Sequence, residues 1–482
     1  MLKLGKHQPM SQNPYREDKE ELKELIIQYQ HLKQGRSHPF LEEDAFERII
    51  DYYDEKDDLP EAMTAAELAL EQFPYSANLM IKKADLLLAS RKYQDALDLL
   101  ETAELYDSND LNLFILKTDA YLALDQQAKA VELLEAALLQ FDGEERLDLL
   151  FELADVYDDY EEFDKVFDCL KLILDEDPNN EEALYKICFW TDFTGRNEES
   201  IKLHQAIIED YPFSELAWFN LAAAYQGLKL YEKSIDAYQY AVAIDEKFDY
   251  AYRNMGDAFL RLRKYKEAIE VLEKVLELSR PEDVIYEAIG HCYHRMGKFA
   301  QARFNYKKAV HLNSTDSKLH YKIAVTYMLE EQWQAACKHL ENAMRMNRTM
   351  PEFNLAMGEC MMNLDKYKDA IVYFGAVVKH KPKSVTGWEA LLRCLIKADL
   401  LEEAYSQCMV AHAATGYKPI FYFYASTLLF ALGKSKEALL KLETAMDKAP
   451  KLLKKFMELN PAILQNNQVV DIIARYKKGK KI

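Results

Sequence analysis

The hydrophobic positions of this chain recur in blocks of 34 residues. The clearest series consists of six alanines, at Ala268, Ala302, Ala336, Ala370, Ala404 and Ala438. The same step joins a second series of mostly aromatic positions, at Trp218, Tyr252, Tyr286, His320, Asn354, Trp388 and Tyr422. A fixed period of this length indicates an array of repeated supersecondary units. Twelve repeats can be framed between residues 43 and 452, with one 36-residue step among them.

Within one repeat, the small and aromatic positions predict two packed helices. Position 8 is small, as at Gly256 and Gly290, and position 20 is usually alanine, as at Ala302. Small residues let two helices approach closely, while aromatic residues at positions 11 and 17 fill the space beside them. Proline recurs at position 32, where the second helix is expected to end. A single repeat buries only part of its apolar surface, so neighbouring repeats must stack.

The best-formed repeat resembles a known family. It contains Tyr286-x-x-Ile289-Gly290-x-x-Tyr293, then Phe299, Ala302-x-x-x-Tyr306 and Ala309, which resembles the tetratricopeptide repeat. The resemblance implies an all-α fold, a right-handed α-solenoid (superhelix) of helix-turn-helix repeats. We expect a disordered start and an N-terminal capping helix in residues 1–42, the superhelix in 43–452, and C-terminal capping helices with a basic tail in 453–482. The predicted repeats start at 43, 77, 111, 147, 181, 215, 249, 283, 317, 351, 385 and 419.

Terminal repeats leave an apolar face uncovered, and both ends of the chain carry segments that could cover it. Residues 15–34 have the pattern of an amphipathic helix, and residues 451–476 carry two apolar stretches on either side of Pro461. We interpret both segments as caps, with a dimerisation helix as the alternative. The C-terminal helix is expected to cover four residues of the last repeat: Ile420, Phe423, Tyr424 and Phe430.

Charge divides the chain into two unlike parts. The net charge is −20, but residues 1–250 hold 24 Lys and Arg against 56 Asp and Glu, a net of −32. Residues 251–482 hold 37 against 25, a net of +12. The overall balance disfavours general binding to nucleic acid or to an anionic membrane. An acidic first half favours basic partners.

The remaining composition favours a cytoplasmic protein. The seven cysteines show no C-x-x-C pair and no disulfide spacing, so a reducing compartment is expected. The N-terminus lacks the apolar stretch of a secretory signal. The longest apolar run, from Ile420 to Leu432, has 13 residues, against about 20 for a membrane-spanning helix.

No motif predicts an enzyme, a cofactor or a metal site. Gly433-Lys434-Ser435 lacks the first glycine of a phosphate-binding loop and falls between two helices, so we reject that reading. His291 and His294 share one helical face and could begin a metal site, but no further ligand has suitable spacing. The cysteines occupy small or apolar repeat positions, where a thiol packs as a hydrophobic residue.

The resemblance directs attention to a concave groove lined by the first helices, where positions 2, 5, 9, 12 and 13 commonly meet a bound peptide. Carried over to this sequence, position 9 is aspartate in the first four repeats, at Asp51, Asp85, Asp119 and Asp155. Like charges in one column repel unless cations compensate them, so a Lys/Arg-rich segment would fit. The alternative is an ordinary solvated acidic face.

Later repeats place aromatic and then basic residues at these positions. The candidates are Tyr185, Phe189 and Phe219, followed by Arg253, Arg261, His291, His294 and Arg295. Asn220 and Asn254, at position 6, resemble the asparagines with which some relatives hold a peptide backbone. The aromatic residues could anchor an apolar side chain of a partner, or they could belong to the core.

These observations predict a non-catalytic scaffold that binds partner peptide or helix segments in its groove. The alternative is salt-dependent, head-to-tail self-assembly, in which the acidic half of one molecule meets the basic half of another. Nucleic-acid binding through the basic half is less favoured, because the lysines are scattered and the acidic half repels phosphate.

Overall fold

The computed structural model describes residues 14–35, 40–459 and 461–478. Across these residues the secondary structure is helical, without strands, which confirms the all-α solenoid expected from the repeats. The chain divides into two compact bodies, Met1–Ile244 and Asp245–Ile482. The predicted disordered start spans residues 1–14; its first 13 residues lie outside the described residues, as do the last four residues of the predicted basic tail, and Pro14 begins a helix.

The N-terminal body contains a leading helix, α1 (Pro14–Lys33), followed by six helical pairs. The first helices of the pairs are α2 (Glu43–Asp54), α4 (Ala77–Ala89), α6 (Leu111–Ala123), α8 (Glu144–Asp159), α10 (Glu181–Thr194) and α12 (Glu215–Gly227). The second helices are α3 (Leu59–Gln72), α5 (Tyr93–Glu104), α7 (Gln127–Ala137), α9 (Phe163–Glu176), α11 (Asn197–Asp210) and α13 (Tyr231–Ile244). Helix α8 begins at Glu144, three residues before the predicted repeat start at 147. Helix α8 has 16 residues, and its additional turn at the start accounts for the irregular step.

The C-terminal body continues with six pairs. The first helices are α14 (Asp249–Arg261), α16 (Asp283–Arg295), α18 (Ser317–Leu329), α20 (Pro351–Asn363), α22 (Val385–Lys397) and α24 (Ile420–Ala431). The second helices are α15 (Tyr265–Leu278), α17 (Phe299–Leu312), α19 (Trp333–Met346), α21 (Tyr367–His380), α23 (Leu401–Ala414) and α25 (Ser435–Lys448). Short helices follow at Pro450–Leu452, α26 (Leu453–Leu459), Pro461–Gln465 and α27 (Asn467–Lys478).

Several first helices begin at a side chain that satisfies a free backbone N–H group. The hydroxyl oxygens of Ser76, Ser214 and Ser384 accept hydrogen bonds from backbone nitrogens three residues later, at 3.1, 3.4 and 3.2 Å. An N-cap of this kind stabilises a helix by about 1 kcal/mol. These caps stand at the end of the loop between repeats and fix where each new pair starts.

The turn inside each pair has the same backbone conformation throughout the array. In every repeat, position 15 has a positive φ, which is the left-handed conformation. Glycine occupies this position in three repeats, at Gly195, Gly297 and Gly433. The other nine repeats use a residue with a side chain: Asp57, Arg91, Asp125, Glu161, Lys229, Arg263, Glu331, Asp365 and Asp399. The turn geometry is therefore set by the helix pair and not by the residue at the turn.

The core of each pair lies where the small residue at position 8 meets position 24. A Cβ atom added to Gly290 would lie 2.7 Å from the ring of Tyr306, which is 2% exposed. Gly358 approaches Phe374 in the same way. Ala302, at position 20, is fully buried beside this contact. The close approach predicted from the repeat pattern is present in these pairs, and it leaves no room for even one extra methyl group.

Both ends of the described chain carry helices that cover an apolar face. In α1, the fully buried Tyr29 donates a hydrogen bond to Glu61 at 3.2 Å. In α27, Val469, Ile472 and Ile473 pack in one cluster with Phe423, Leu442 and Met446 of the last pair. Phe423 is fully buried as a result. Each body therefore has its own apolar cover at one end.

Candidate partner-binding surfaces

An acidic column follows the first helices of the N-terminal body. It consists of Asp51, Asp85, Asp119 and Asp155, one from each of α2, α4, α6 and α8, which pack side by side in that order. All four side chains are exposed. The two ends of the column are compensated, because Lys82 forms an ion pair with Asp51 and the Nζ of Lys186 lies 3.8 Å from Asp155.

The middle of the column is less compensated. Asp85 and Asp119 form no ion pair and no side-chain hydrogen bond with any residue that the structure describes. Partial desolvation by the surrounding helices, together with Asp54, raises the pKa of Asp85, although the nearby charge of Lys82 opposes this shift. Partial desolvation and Asp85 likewise raise the pKa of Asp119. A raised carboxyl pKa means that the charged form is disfavoured, so a cation at this place would be stabilising.

A further carboxylate extends this coupling to the next helix. Glu152 of α8 is half-buried, and burial followed by the charges of Asp119 and Asp155 raises its pKa. Burial and the charge of a neighbouring carboxylate therefore raise the pKa of a carboxyl on each of the helices α4, α6 and α8. The sequence pattern did not single out Glu152, because it stands at position 6, outside the column of aspartates at position 9.

Exposed aromatic side chains follow the column along α10. Tyr185, Phe189 and Phe193 are four residues apart, so they lie on one helical face, and their exposures are 73%, 61% and 56%. We refer to these three residues as the aromatic stripe. Phe193 packs edge-on against Phe163 with ring centroids 4.7 Å apart. Phe219 on α12 is only half-exposed and lies 5.6 Å from the ring of Tyr238.

Asn220 lies inside the body. It is 2% exposed, and its amide nitrogen donates to the carbonyl oxygen of Leu184 at 2.6 Å and to Nε2 of His204 at 3.2 Å. Nδ1 of His204 donates in turn to the carbonyl oxygen of Ser200 at 2.7 Å. Burial lowers the pKa of His204 to about 4, so the ring is neutral near pH 7. In this arrangement the Asn220 amide bonds within the body and is not presented to a peptide.

In the C-terminal body, the predicted arginines are engaged with neighbouring carboxylates. Arg253 forms two hydrogen bonds with Glu282, at 3.0 and 2.8 Å. Arg261 pairs with Asp257 one turn away, at 3.3 Å. Asn254, the residue after Arg253, is half-buried. A partner with an acidic segment would have to compete with these intramolecular pairs.

The predicted histidine pair lies on α16, but it does not form a metal centre. The rings of His291 and His294 are nearly parallel with centroids 6.4 Å apart, and burial lowers the pKa of both. Arg295 donates to the hydroxyl of Tyr265 at 3.2 Å. Over the described part of the chain, no three His, Cys, Asp or Glu side chains are grouped as a metal site would require.

The cysteines and the glycine-lysine-serine sequence lie where packing explains them. The seven thiols are free, six of them buried and Cys188 half-buried. Burial raises the pKa of Cys169, Cys188 and Cys408 to about 12, which keeps these thiols protonated. Gly433-Lys434-Ser435 forms the turn between α24 and α25. Among the described residues, no helix is both long and apolar enough to span a membrane.

Three clefts among the described residues do not lie at the positions predicted to face a peptide. They are clefts between the second helices of consecutive repeats, floored by the first helix between them. One lies among α11, α12 and α13, with a volume of about 490 Å³. Two more lie among α15, α16 and α17, about 650 Å³, and among α19, α20 and α21, about 420 Å³. The sequence patterns did not indicate these clefts, because each one combines positions from two repeats.

Comparison with known proteins identifies the family. A family model described as the tetratricopeptide repeat protein 21 C-terminal ARM domain matches residues 198–355, and one described as a tetratricopeptide repeat matches residues 327–392. These matches support a tetratricopeptide repeat (TPR) protein. The resemblance seen in the sequence is thereby confirmed. No curated protein matches the chain.

Several solved structures resemble the TPR array. The C-terminal part of a TPR repeat-containing protein from Cytophaga hutchinsonii is 17% identical, with 53% of this chain and 99% of that chain covered and a TM-score of 0.44. The APC/C hetero-tetramer Cut9–Hcn1 is 13% identical, with coverages of 81% and 97% and a TM-score of 0.35. YrrB, a TPR protein with an unusual peptide-binding site, is 16% identical, with coverages of 39% and 96% and a TM-score of 0.35.

Family membership establishes function at a general level. TPR proteins bind other proteins or peptides, and the fold is a protein–protein interaction scaffold. It is generally a non-catalytic fold.

Proposed function

We propose that this TPR protein binds a Lys/Arg-rich segment of a partner protein along the acidic column of its N-terminal body. The observation that carries the proposal is the pair Asp85 and Asp119. Burial and like charge raise the pKa of both carboxyls. Among the described residues no cation acts on Asp119, and Asp85 has only the nearby charge of Lys82, whose ion pair is with Asp51. A basic segment would remove this repulsion on binding, which gives it an advantage over a neutral one.

The net charge of the body supports the same class of partner. Residues 1–244 contain 23 Lys and Arg against 53 Asp and Glu, a net of −30. A field of this sign accelerates the approach of a basic segment and repels nucleic acid. Binding should therefore weaken with salt, since the Debye length is only about 8 Å at physiological ionic strength.

The aromatic stripe supplies an apolar contact next to the charges. Lys186 stands next to Tyr185 of the stripe on α10, and its Nζ lies 3.8 Å from Asp155 of the column. We infer that the preferred partner segment carries an apolar or aromatic residue to one side of its basic stretch. Buried aromatic contacts commonly provide most of the affinity, while charges set the rate and orientation of binding.

The test compares three baits in native cytosol at low salt. They are the wild-type protein, the Asp85→Asn/Asp119→Asn variant, and a matched control, Asp95→Asn/Glu132→Gln. The control removes two exposed charges from the same two repeats, but on the second helices α5 and α7. We expect partners to be lost only from the first variant, and chemical cross-links to place them on α4 and α6. Equal retention by all three baits would refute a role for the column.

Self-assembly is a second candidate, which the opposite charges of the two bodies favour. Residues 245–482 contain 38 Lys and Arg against 28 Asp and Glu, a net of +10. Contacts between the acidic body of one molecule and the basic body of another would be screened by salt. Light scattering at low and high salt tests this, and a mass that is independent of salt and of protein concentration would exclude it.

We further propose a cytoplasmic location, supported by the seven free cysteines, which suit a reducing compartment. Fluorescent tagging tests it directly.

A further inference from the structure

The cleft among α11, α12 and α13 has an aromatic wall that is partly open to solvent. Trp218 and Tyr240 are stacked, with ring centroids 4.4 Å apart and an angle of 20° between the planes. Nε1 of Trp218 donates to the carbonyl oxygen of Pro212 at 2.9 Å, which fixes the indole. Tyr240 remains 57% exposed, so the face of its ring that is turned away from Trp218 is accessible. Leu221 contributes an apolar floor.

The charged side chains that line this cleft have a net negative charge. Glu209 and Asp236 both line it and are exposed. Neither carboxylate forms an ion pair or a side-chain hydrogen bond with any residue in the described part of the chain. The one cation at the cleft, Lys233, has its Nζ 5.5 Å from the ring centroid of Tyr225.

An equivalent cleft in the C-terminal body shows how such an aromatic wall accommodates a cation. Among α15, α16 and α17, Lys308 stands at position 26 of its repeat, the position that Tyr240 occupies in the first cleft. Its Nζ lies 4.8 Å from the ring centroid of Tyr286 and 4.6 Å from that of Phe304. In the first cleft, position 26 is a second aromatic ring, and no cation of a described residue lies over it.

We propose that the cleft among α11, α12 and α13 binds an arginine side chain of a partner protein. The guanidinium stacks on the open face of Tyr240, its N–H groups donate to the carboxylates of Glu209 and Asp236, and its methylene stem lies against Leu221. The volume of about 490 Å³ is within the usual range for a ligand site. A planar guanidinium suits a stacked aromatic wall flanked by carboxylates better than a lysine ammonium does.

This site is separate from the acidic column. The column lies on α2, α4, α6 and α8, whereas the cleft is built from the two last pairs of the same body. Either site can therefore fail experimentally without affecting the conclusion about the other.

Fluorine NMR on the full-length chain labelled with 5-fluorotryptophan tests the proposal. The chain has four tryptophans, so Trp218→Phe assigns the resonance of interest by its disappearance. The probe is the tripeptide acetyl-Gly-Arg-Gly-amide, and its twin carries citrulline, which has the same shape without the charge. We expect the Trp218 resonance to shift with the arginine probe and to saturate with a Kd on the order of 1 mM, as a single side chain would give. The citrulline probe should leave it unchanged.

Variants of exposed residues separate binding from folding. Tyr240→Phe keeps the ring and should bind as the wild type does, whereas Tyr240→Ala should weaken binding by about fivefold or more. Asp236→Asn should weaken it by about five- to tenfold. Asp85→Asn/Asp119→Asn should have no effect, and thermal melts check that each variant is folded. Undiminished binding by Tyr240→Ala, an equal response to citrulline, or equal affinity for the matching lysine tripeptide would overturn the assignment.

Discussion

Replacing Gly290 by alanine tests whether the contact between α16 and α17 governs the stability of a repeat. The added Cβ would lie 2.7 Å from both Cδ1 and Cε1 of Tyr306, whereas carbon atoms prefer about 3.5–4.0 Å. The Tyr306 ring is 2% exposed and packs with Ala302 and Ile323, so it cannot move aside without disturbing the core. Overpacking of this kind costs about 1–3 kcal/mol. Alanine also favours a helix over glycine by about 1 kcal/mol, which partly offsets that cost.

Gly375→Ala provides the matched control in the same body. Gly375 lies inside α21, and a Cβ added there meets nothing within 4 Å. It should therefore show the helix-propensity gain alone and stabilise the protein by up to about 1 kcal/mol. The difference between the two variants isolates the contact, and we expect it to be about 1–3 kcal/mol in favour of Gly375→Ala.

Urea unfolding followed by circular dichroism measures the two variants, and hydrogen-exchange mass spectrometry locates the change. Because a repeat array need not unfold in one step, the exchange of peptides from α16 and α17 is the more specific measurement. Faster exchange there, with unchanged exchange in α12 and α13, is the expected result for Gly290→Ala. Equal stability of the two variants would refute the packing argument.

Three further predictions concern named positions. The pKa of His204 is about 4 in the folded protein and about 6.5 in the unfolded chain. Its contribution to the free energy of unfolding is therefore fully present above pH 6.5 and is lost as the pH falls towards 4. The loss is roughly 3 kcal/mol, and the pH dependence of urea midpoints should be flatter for His204→Gln; an unchanged slope contradicts this. Asp119→Asn should raise the thermal midpoint, because burial and Asp85 disfavour the charged form, and a lower midpoint would argue against that repulsion. Ala302→Leu should cost about 1–3 kcal/mol in thermal or urea melts, since Ala302 is fully buried; a variant as stable as the wild type would mean that the helices there are not close-packed.

The repeat pattern predicts the helical pairs because their packing depends on residues within one repeat. Gly290, Ala302 and Tyr306 lie within 17 positions of each other and make one contact, so a single period of the sequence contains the whole interaction. A helix cap such as Ser214 is also contained in one short stretch of sequence, because its partner is the backbone N–H group three residues later. The start of α8 could not be placed as well, because this helix begins with three residues that precede the repeat pattern.

The candidate sites are predicted less completely because they combine residues from neighbouring repeats. The acidic column is visible in sequence as a recurring aspartate, but Asn220 was assigned to the peptide-facing surface by family likeness alone. The sequence does contain a signal for its burial. His204 stands at position 24, which Leu272, Tyr306 and Phe374 occupy in other repeats as core residues. A histidine buried there needs a hydrogen-bond partner nearby, and Asn220 is that partner. Trp218 and Tyr240 form the cleft wall with groups from the preceding repeat, and no spacing within one repeat reveals that arrangement.

The left-handed turn at position 15 implies that natural selection has not maximised the stability of this array. Nine of the twelve turns hold a residue with a side chain in a conformation that costs it roughly 1 kcal/mol more than glycine. Glycine at those nine turns would stabilise successive pairs without altering the acidic column, the aromatic stripe or the clefts. The array thus has turn positions that can be substituted to raise its stability without changing its proposed binding surfaces. A more stable scaffold could be made in this way one repeat at a time.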